Sequence, residues 1–173
     1  SPNNSINADG CGTLKYEINW PYWNKGLNAS GSVKILMTGA YRPSNGPLNM
    51  QGTSKFVIAN PSAGTIGIGN TITFAGGTSL VVSNLTSLTS APLTGTTLTL
   101  GNASTTTVRV DRASGALPNG AYPLVRLTSG TIPATYSDLV LEGTGIEGKS
   151  ARLIRSADSK TLLVAVDDLP SQN

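Results

Sequence analysis

"ITFAGGTSLVVSN", residues 72–84, repeats the pattern of "LNMQGTSKFVIAN", residues 48–60, at an offset of 24. At that offset Leu48, Met50, Phe56 and Ile58 fall on Ile72, Phe74, Leu80 and Val82. Each copy reads apolar-x-apolar, then a glycine with Thr or Ser, then apolar-x-apolar. That is two short strands of period 2 joined by a tight polar turn. A weaker third copy follows at an offset of about 26, with Leu98, Leu100, Val108 and Val110 around the longer turn "GNASTTT". The identical "GTS" triplets at 52–54 and 77–79 match better at an offset of 25. A slip of one residue would exchange the buried and exposed side chains. The alternation therefore sets the register, and a small deletion near the turn is expected to reconcile the two.

One such strand pair cannot bury its apolar face alone, whereas stacked copies bury it and pair their backbones. The expected fold is all-β: a β-helix-like solenoid of Gly/Thr-rich repeats over 46–112, then an antiparallel meander over 113–173. Val57 and Val81 point outward in this scheme, which leaves a β-sandwich as the second choice. Residues 1–45 read as non-repeat strands and an aromatic loop. In "TLKYEINW" (13–20), Leu14, Tyr16, Ile18 and Trp20 alternate with Lys15, Glu17 and Asn19; a loop and the strand "VKILM" (33–37) follow. Near the other end, "AYPLVRLTSG", "YSDLVLEGTG", "ARLIRS" and "KTLLVAV" read as four strands, with "SADSK" (156–160) as a hairpin turn. The three parts are expected to form one continuous unit, without helices.

Hydrophobic residues make up 38% of the 173-residue chain, a globular share. Charged residues are 12%, about half the usual share of roughly 25%. The surface must then be built from Thr, Ser, Asn and Gly, as in extracellular β-rich proteins. The 12 basic and 9 acidic residues are spread along the chain. The cluster Arg152, Arg155 and Lys160 reads as a solvated strand face. Dense Lys/Arg interleaved with aromatics is missing, so no nucleic-acid partner is expected. No apolar run reaches the roughly 18 residues of a membrane span. The chain begins at Ser1 without Met and reads as a mature or trimmed form.

Histidine does not occur in the sequence. Ser-His-Asp and Cys-His catalysis are thereby excluded, as are histidine metal sites. The single cysteine, Cys11, lies between Gly10 and Gly12 and allows neither an internal disulfide nor a thiolate cluster. "GTIGIGN" (64–70) lacks the lysine and the helix of a phosphate loop. No metal and no cofactor are expected. The chemistry that remains is that of paired carboxylates, as an acid-active peptidase or, second to that, a glycosidase. The acids available are Asp9, Glu17, Asp111, Asp138, Glu142, Glu147, Asp158, Asp167 and Asp168. "ADG" (8–10) and "ADS" (157–159) read as turns.

"NWPYWNKG" (19–26) holds Trp20, Tyr22 and Trp23, three of the nine aromatic residues (two Trp, five Tyr, two Phe). Flat rings on a proline-fixed loop can stack on sugars, so these three are the glycan-binding candidates. The preferred reading of the three rings is that they cap one end of the solenoid.

The stretch "GALPNGAYPLVRLTSGTI" (115–132), followed by "LVLEG" and "TLLVAVDD", resembles the closing segment of the passenger region of bacterial autotransporter-associated β-strand repeat proteins. The pattern is carried by Leu117, Pro118, Gly120, Tyr122, Leu124 and Val125, and the resemblance spans about residues 46–168; the first 45 residues do not match it. It implies a secreted or surface β-helical passenger and transfers no catalytic residue. The expected function is adhesion or presentation at an extracellular or bacterial surface, contacting glycans or glycoproteins. The alternative is an acid-active aspartic-type hydrolase working on an extracellular glycoprotein such as mucin.

Overall fold

The computed structural model describes residues 5–16, 25–39 and 45–171. Short strands follow one another in rungs. The first rung holds β1 (Ile6–Ala8) and β2 (Thr13–Tyr16), and the second β3 (Leu27–Ala29) and β4 (Lys34–Met37). The third holds β5 (Leu48–Met50), β6 (Lys55–Ile58) and β7 (Ile66–Gly67), and the fourth β8 (Ile72–Phe74), β9 (Ser79–Ser83) and β10 (Leu93–Gly95). The last holds β11 (Leu98–Leu100), β12 (Thr107–Asp111) and β13 (Gly120–Leu127); β14 (Val140–Glu142), β15 (Lys149–Arg155) and β16 (Thr161–Asp168) close the chain. The described helix is confined to short 3₁₀ turns at 61–63, 103–105, 134–138 and 144–146.

Equivalent strands of successive rungs pair in parallel, giving a solenoid of about four turns. Sheet A runs β1-β3-β5-β8-β11, sheet B runs β14-β12-β9-β6-β4-β2, and sheet C runs β15-β16-β13-β10-β7. In sheet A, Ile6 pairs with Leu27, Leu27 with Leu48, Leu48 with Ile72 and Ile72 with Leu98, which makes the rungs 21, 21, 24 and 26 residues long.

The 24-residue offset is therefore the register between the third and fourth rungs. Phe56 lies beside Leu80, and Ile58 beside Val82. All four belong to one core with Leu27, Ile35, Leu48, Met50 and Ile72. The turn needs no deletion, because residues 51–54 and 75–78 are equal in length and the strands on both sides keep the same offset. What shifts by one residue is the left-handed backbone position, from Gly52 (φ 64) to Gly77 (φ 89). That shift carries the "GTS" triplet along and leaves the strands where burial fixes them.

The corner between sheets A and B shows why glycine recurs. A Cβ at Gly52 would lie 2.6 Å from the Gly31 carbonyl oxygen, and one at Gly31 would lie 2.6 Å from that of Gly10. Thr53 N–H donates to the Gly31 carbonyl at 2.8 Å, and Ser32 N–H to that of Gly10 at 2.7 Å. On the inner side of the corner sit Ser54, Thr78 and Thr106, all buried. Each hydroxyl donates to a backbone carbonyl of its own turn: Ser54 to Gln51, Thr78 to Ala75, Thr106 to Asn102. Among the described residues, no buried side-chain polar atom lacks a partner.

Two sequence expectations are corrected. The stretch 1–45 was expected to lie outside the repeat, yet β1 to β4 stack in sheets A and B as rungs of 21 residues. The C-terminal segment is only partly a meander. β13, β16 and β15 pair antiparallel, but β14 leaves them and joins sheet B in parallel beside β12. Of "YSDLVL", residues 136–138 belong to a 3₁₀ turn that starts behind Pro133. That polar run has no period-2 alternation to hold it in a sheet. The expected hairpin at 156–160 does join β15 to β16.

Candidate functional surface

Trp20, Tyr22 and Trp23, the glycan candidates read from the sequence, lie outside the described residues, as does Glu17. Six of the other acids, Asp9, Asp111, Glu142, Asp158, Asp167 and Asp168, are held by hydrogen bonds or ion pairs. Asp9 accepts from the Gly10 amide at 2.7 Å and the Ser30 hydroxyl at 3.0 Å. Asp111 accepts from Arg109 Nε at 2.8 Å and the Thr144 amide at 3.0 Å. Arg109 Nη1 also stands 3.6 Å from Glu142. Asp168 accepts from Lys149 Nζ at 2.9 Å, and Asp158 from the Ser156 hydroxyl and the Lys160 amide in the hairpin turn.

The pKa values of Asp111, Asp158 and Asp168 are all lowered. Partial burial works to raise that of Asp111, but the Arg109 and Thr144 hydrogen bonds outweigh it, and the net shift is down. The Ser156 hydroxyl lowers Asp158, and Lys149 lowers Asp168. Paired-acid hydrolysis instead requires one carboxyl held protonated. Among the described residues, no three His, Cys, Asp or Glu side chains gather as a metal site. Cys11 is exposed at the corner of the first rung.

Among the described residues, two grooves flank the solenoid. One lies between residues 61–65 and 85–92, lined by prolines, serines, threonines and Leu85. The other is lined by Ser137, Leu139, Leu141, Ala151, Arg152 and Leu153. Neither brings two titratable groups together.

The ordered feature of the surface is its ladders. Parallel pairing places the same strand position of every rung in one row. On sheet A the outward row is Asn7, Asn28, Asn49, Thr73 and Thr99. The amides are chained: Asn28 Nδ2 donates to Asn7 Oδ1 at 2.9 Å, and Asn49 Nδ2 to Asn28 Oδ1 at 2.7 Å. On sheet B one outward row is Thr13, Lys34, Lys55, Ser79 and Thr107. Beside it run Lys15, Leu36, Val57, Val81 and Arg109. Lys34 and Lys55 are exposed, Leu36 and Val57 half-buried. These rows escaped the sequence reading, although Asn7, Asn28 and Asn49, like Lys34 and Lys55, recur at an interval of 21.

The motif at 117–125 has a physical explanation in the structure. Leu117, Leu124 and Val125 are buried, and the Tyr122 hydroxyl donates to the Pro118 carbonyl at 2.6 Å. The tyrosine thus fastens the loop that enters β13. No family model, characterised protein or solved structure matches the chain.

Proposed function

We propose that the chain is a secreted or surface-displayed solenoid module for adhesion or presentation, of the kind found in autotransporter passengers, and that it contacts glycans or glycoproteins. The observation that supports this reading is the set of in-register outward rows of Asn, Thr, Ser and Lys on a rigid parallel stack. Such a surface offers a repeating partner one polar group per rung, an amide on the first three rungs of sheet A and an ammonium on the second and third rungs of sheet B. Each carboxyl with a shifted pKa, by contrast, is pulled down by neighbouring donors, which favours this reading over acid hydrolysis.

The test is retention of the whole chain on surfaces coated with mucin-type glycoprotein, with an uncoated surface as control. A Trp fluorescence titration with mucin-type oligosaccharides accompanies it, using Trp23→Ala. Specific retention is expected. Equal retention on both surfaces, or acid-optimal cleavage of the coat that Asp→Asn changes abolish, would overturn the proposal.

A further inference from the structure

The second and third rungs carry outward residues of the same kind in the same order: amide, hydroxyl, lysine, aliphatic. Around the corner from sheet A to sheet B, the second rung presents Asn28, Ser32, Lys34 and Leu36. The third presents Asn49, Thr53, Lys55 and Val57. Register pairs Asn28 with Asn49, Lys34 with Lys55, and Leu36 with Val57. The sequence shows the same doubling, "LNASGSVKIL" at 27–36 against "LNMQGTSKFV" at 48–57. Core residues repeat because burial demands it; these four positions face outward, where packing makes no such demand.

The lysines carry an electrostatic cost. Neighbouring strands lie about 4.8 Å apart, and like charges directly opposite one another are destabilising. Asp111 and Glu142 sit at the far end of sheet B, engaged by Arg109. Among the described residues, no ion pair or hydrogen bond occupies the ammonium of Lys34 or Lys55. An anionic group spaced once per rung would relieve that repulsion.

We propose that this corner binds a linear uronic-acid polysaccharide, with successive carboxylates on Lys34 and Lys55. The idea rests on the adhesion reading above and names its partner class. The Asn28 and Asn49 amides are linked in the ladder and the Ser32 and Thr53 hydroxyls donate to the Gly10 and Gly31 carbonyls, so what they offer ring hydroxyls is the second N–H of each amide and the free lone pairs of the hydroxyls. The aliphatic ridge of Leu36 and Val57 suits the C–H face of a pyranose. The single ammonium on each of the second and third rungs matches one carboxylate per sugar, whereas heavily sulfated chains call for denser charge. None of these eight residues is aromatic, so nothing here stacks nucleobases.

The whole chain is titrated with polygalacturonate, with its methyl-esterified form, with heparin and with duplex DNA, each at two salt concentrations. Binding is expected for polygalacturonate and not for the ester, and it should weaken with salt. Replacing both lysines (Lys34→Gln with Lys55→Gln) should weaken binding at least tenfold. Lys34→Arg with Lys55→Arg should retain it and guards against a folding artefact. Lys160→Gln removes a charge on the hairpin and should bind as the parent does. Equal binding of the ester, an equal loss with Lys160→Gln, or tighter binding of heparin or DNA would overturn the proposal. Retention on mucin without any affinity for polygalacturonate would overturn this proposal alone. Affinity for polygalacturonate through Lys34 and Lys55 without mucin retention would uphold it and remove mucin as the partner.

Discussion

Replacing Gly52 with alanine separates two effects that most glycine substitutions mix. Gly52 has φ 64, where a Cβ costs roughly 1 kcal/mol. Its Cβ would also lie 2.6 Å from the Gly31 carbonyl oxygen of the rung below. That oxygen accepts the Thr53 N–H at 2.8 Å, so relieving the contact strains a bond between rungs. Displacing a paired backbone group costs about 1–3 kcal/mol. Gly52→Ala should therefore destabilise by about 3 kcal/mol. Gly115 is the matched control: its φ is 75 and nothing lies within 4 Å of its would-be Cβ, so Gly115→Ala should cost only the roughly 1 kcal/mol of the dihedral. In a chain of this length each kcal/mol lowers Tm by about 2–4 °C. The expected losses are about 6–12 °C and about 2–4 °C, read by circular dichroism and checked by urea titration. Equal losses would refute the view that rung contact, rather than backbone conformation, makes glycine necessary at this corner.

Three other outcomes follow from the same stack. Phe56→Ala empties the centre of the core and should cost about 3–5 kcal/mol in urea unfolding; a loss below about 1 kcal/mol would contradict the shared core. Asn28→Ala removes both amide links of the ladder and Asn49→Ala only one, so the first should lose more stability, with each link worth about 1 kcal/mol or less. The pKa of Asp111 is lowered on folding, so its stabilisation is present above the unfolded value and lost as pH falls through the folded one. Acid unfolding should therefore steepen below about pH 4, and Asp111→Asn should flatten that limb.

The apolar alternation at 48–60 and 72–84 was legible because a buried face selects it directly, and it gave both the fold class and the register. The first two rungs were missed for two reasons. The offset found in the middle was 24, while theirs is 21. The stretch that holds Trp20 and Trp23 also interrupts the alternation between the first two rungs. β14 was misassigned because a three-residue strand looks the same whether it pairs parallel or antiparallel; its partner is decided by the 3₁₀ turn before it. The outward rows were harder still. Asn28 above Asn7 is unremarkable as sequence, and it becomes a surface only when the rungs are laid over one another. The aromatic loop lies outside the described residues, so Trp20, Tyr22 and Trp23 enter only the functional proposal.

The fixed interval of the early rungs makes one whole turn a removable unit. Ile6 pairs with Leu27 and Leu27 with Leu48, and Thr13, Lys34 and Lys55 follow the same spacing. Excising residues 27–47 would join Gly26 to Leu48 and seat β5 on β1 and β6 on β2 in unchanged phase. By the same arithmetic, duplicating the segment would lengthen the stack without changing which side chains point inward. Growth and loss of such a protein can proceed by whole turns, with the corners as the seams.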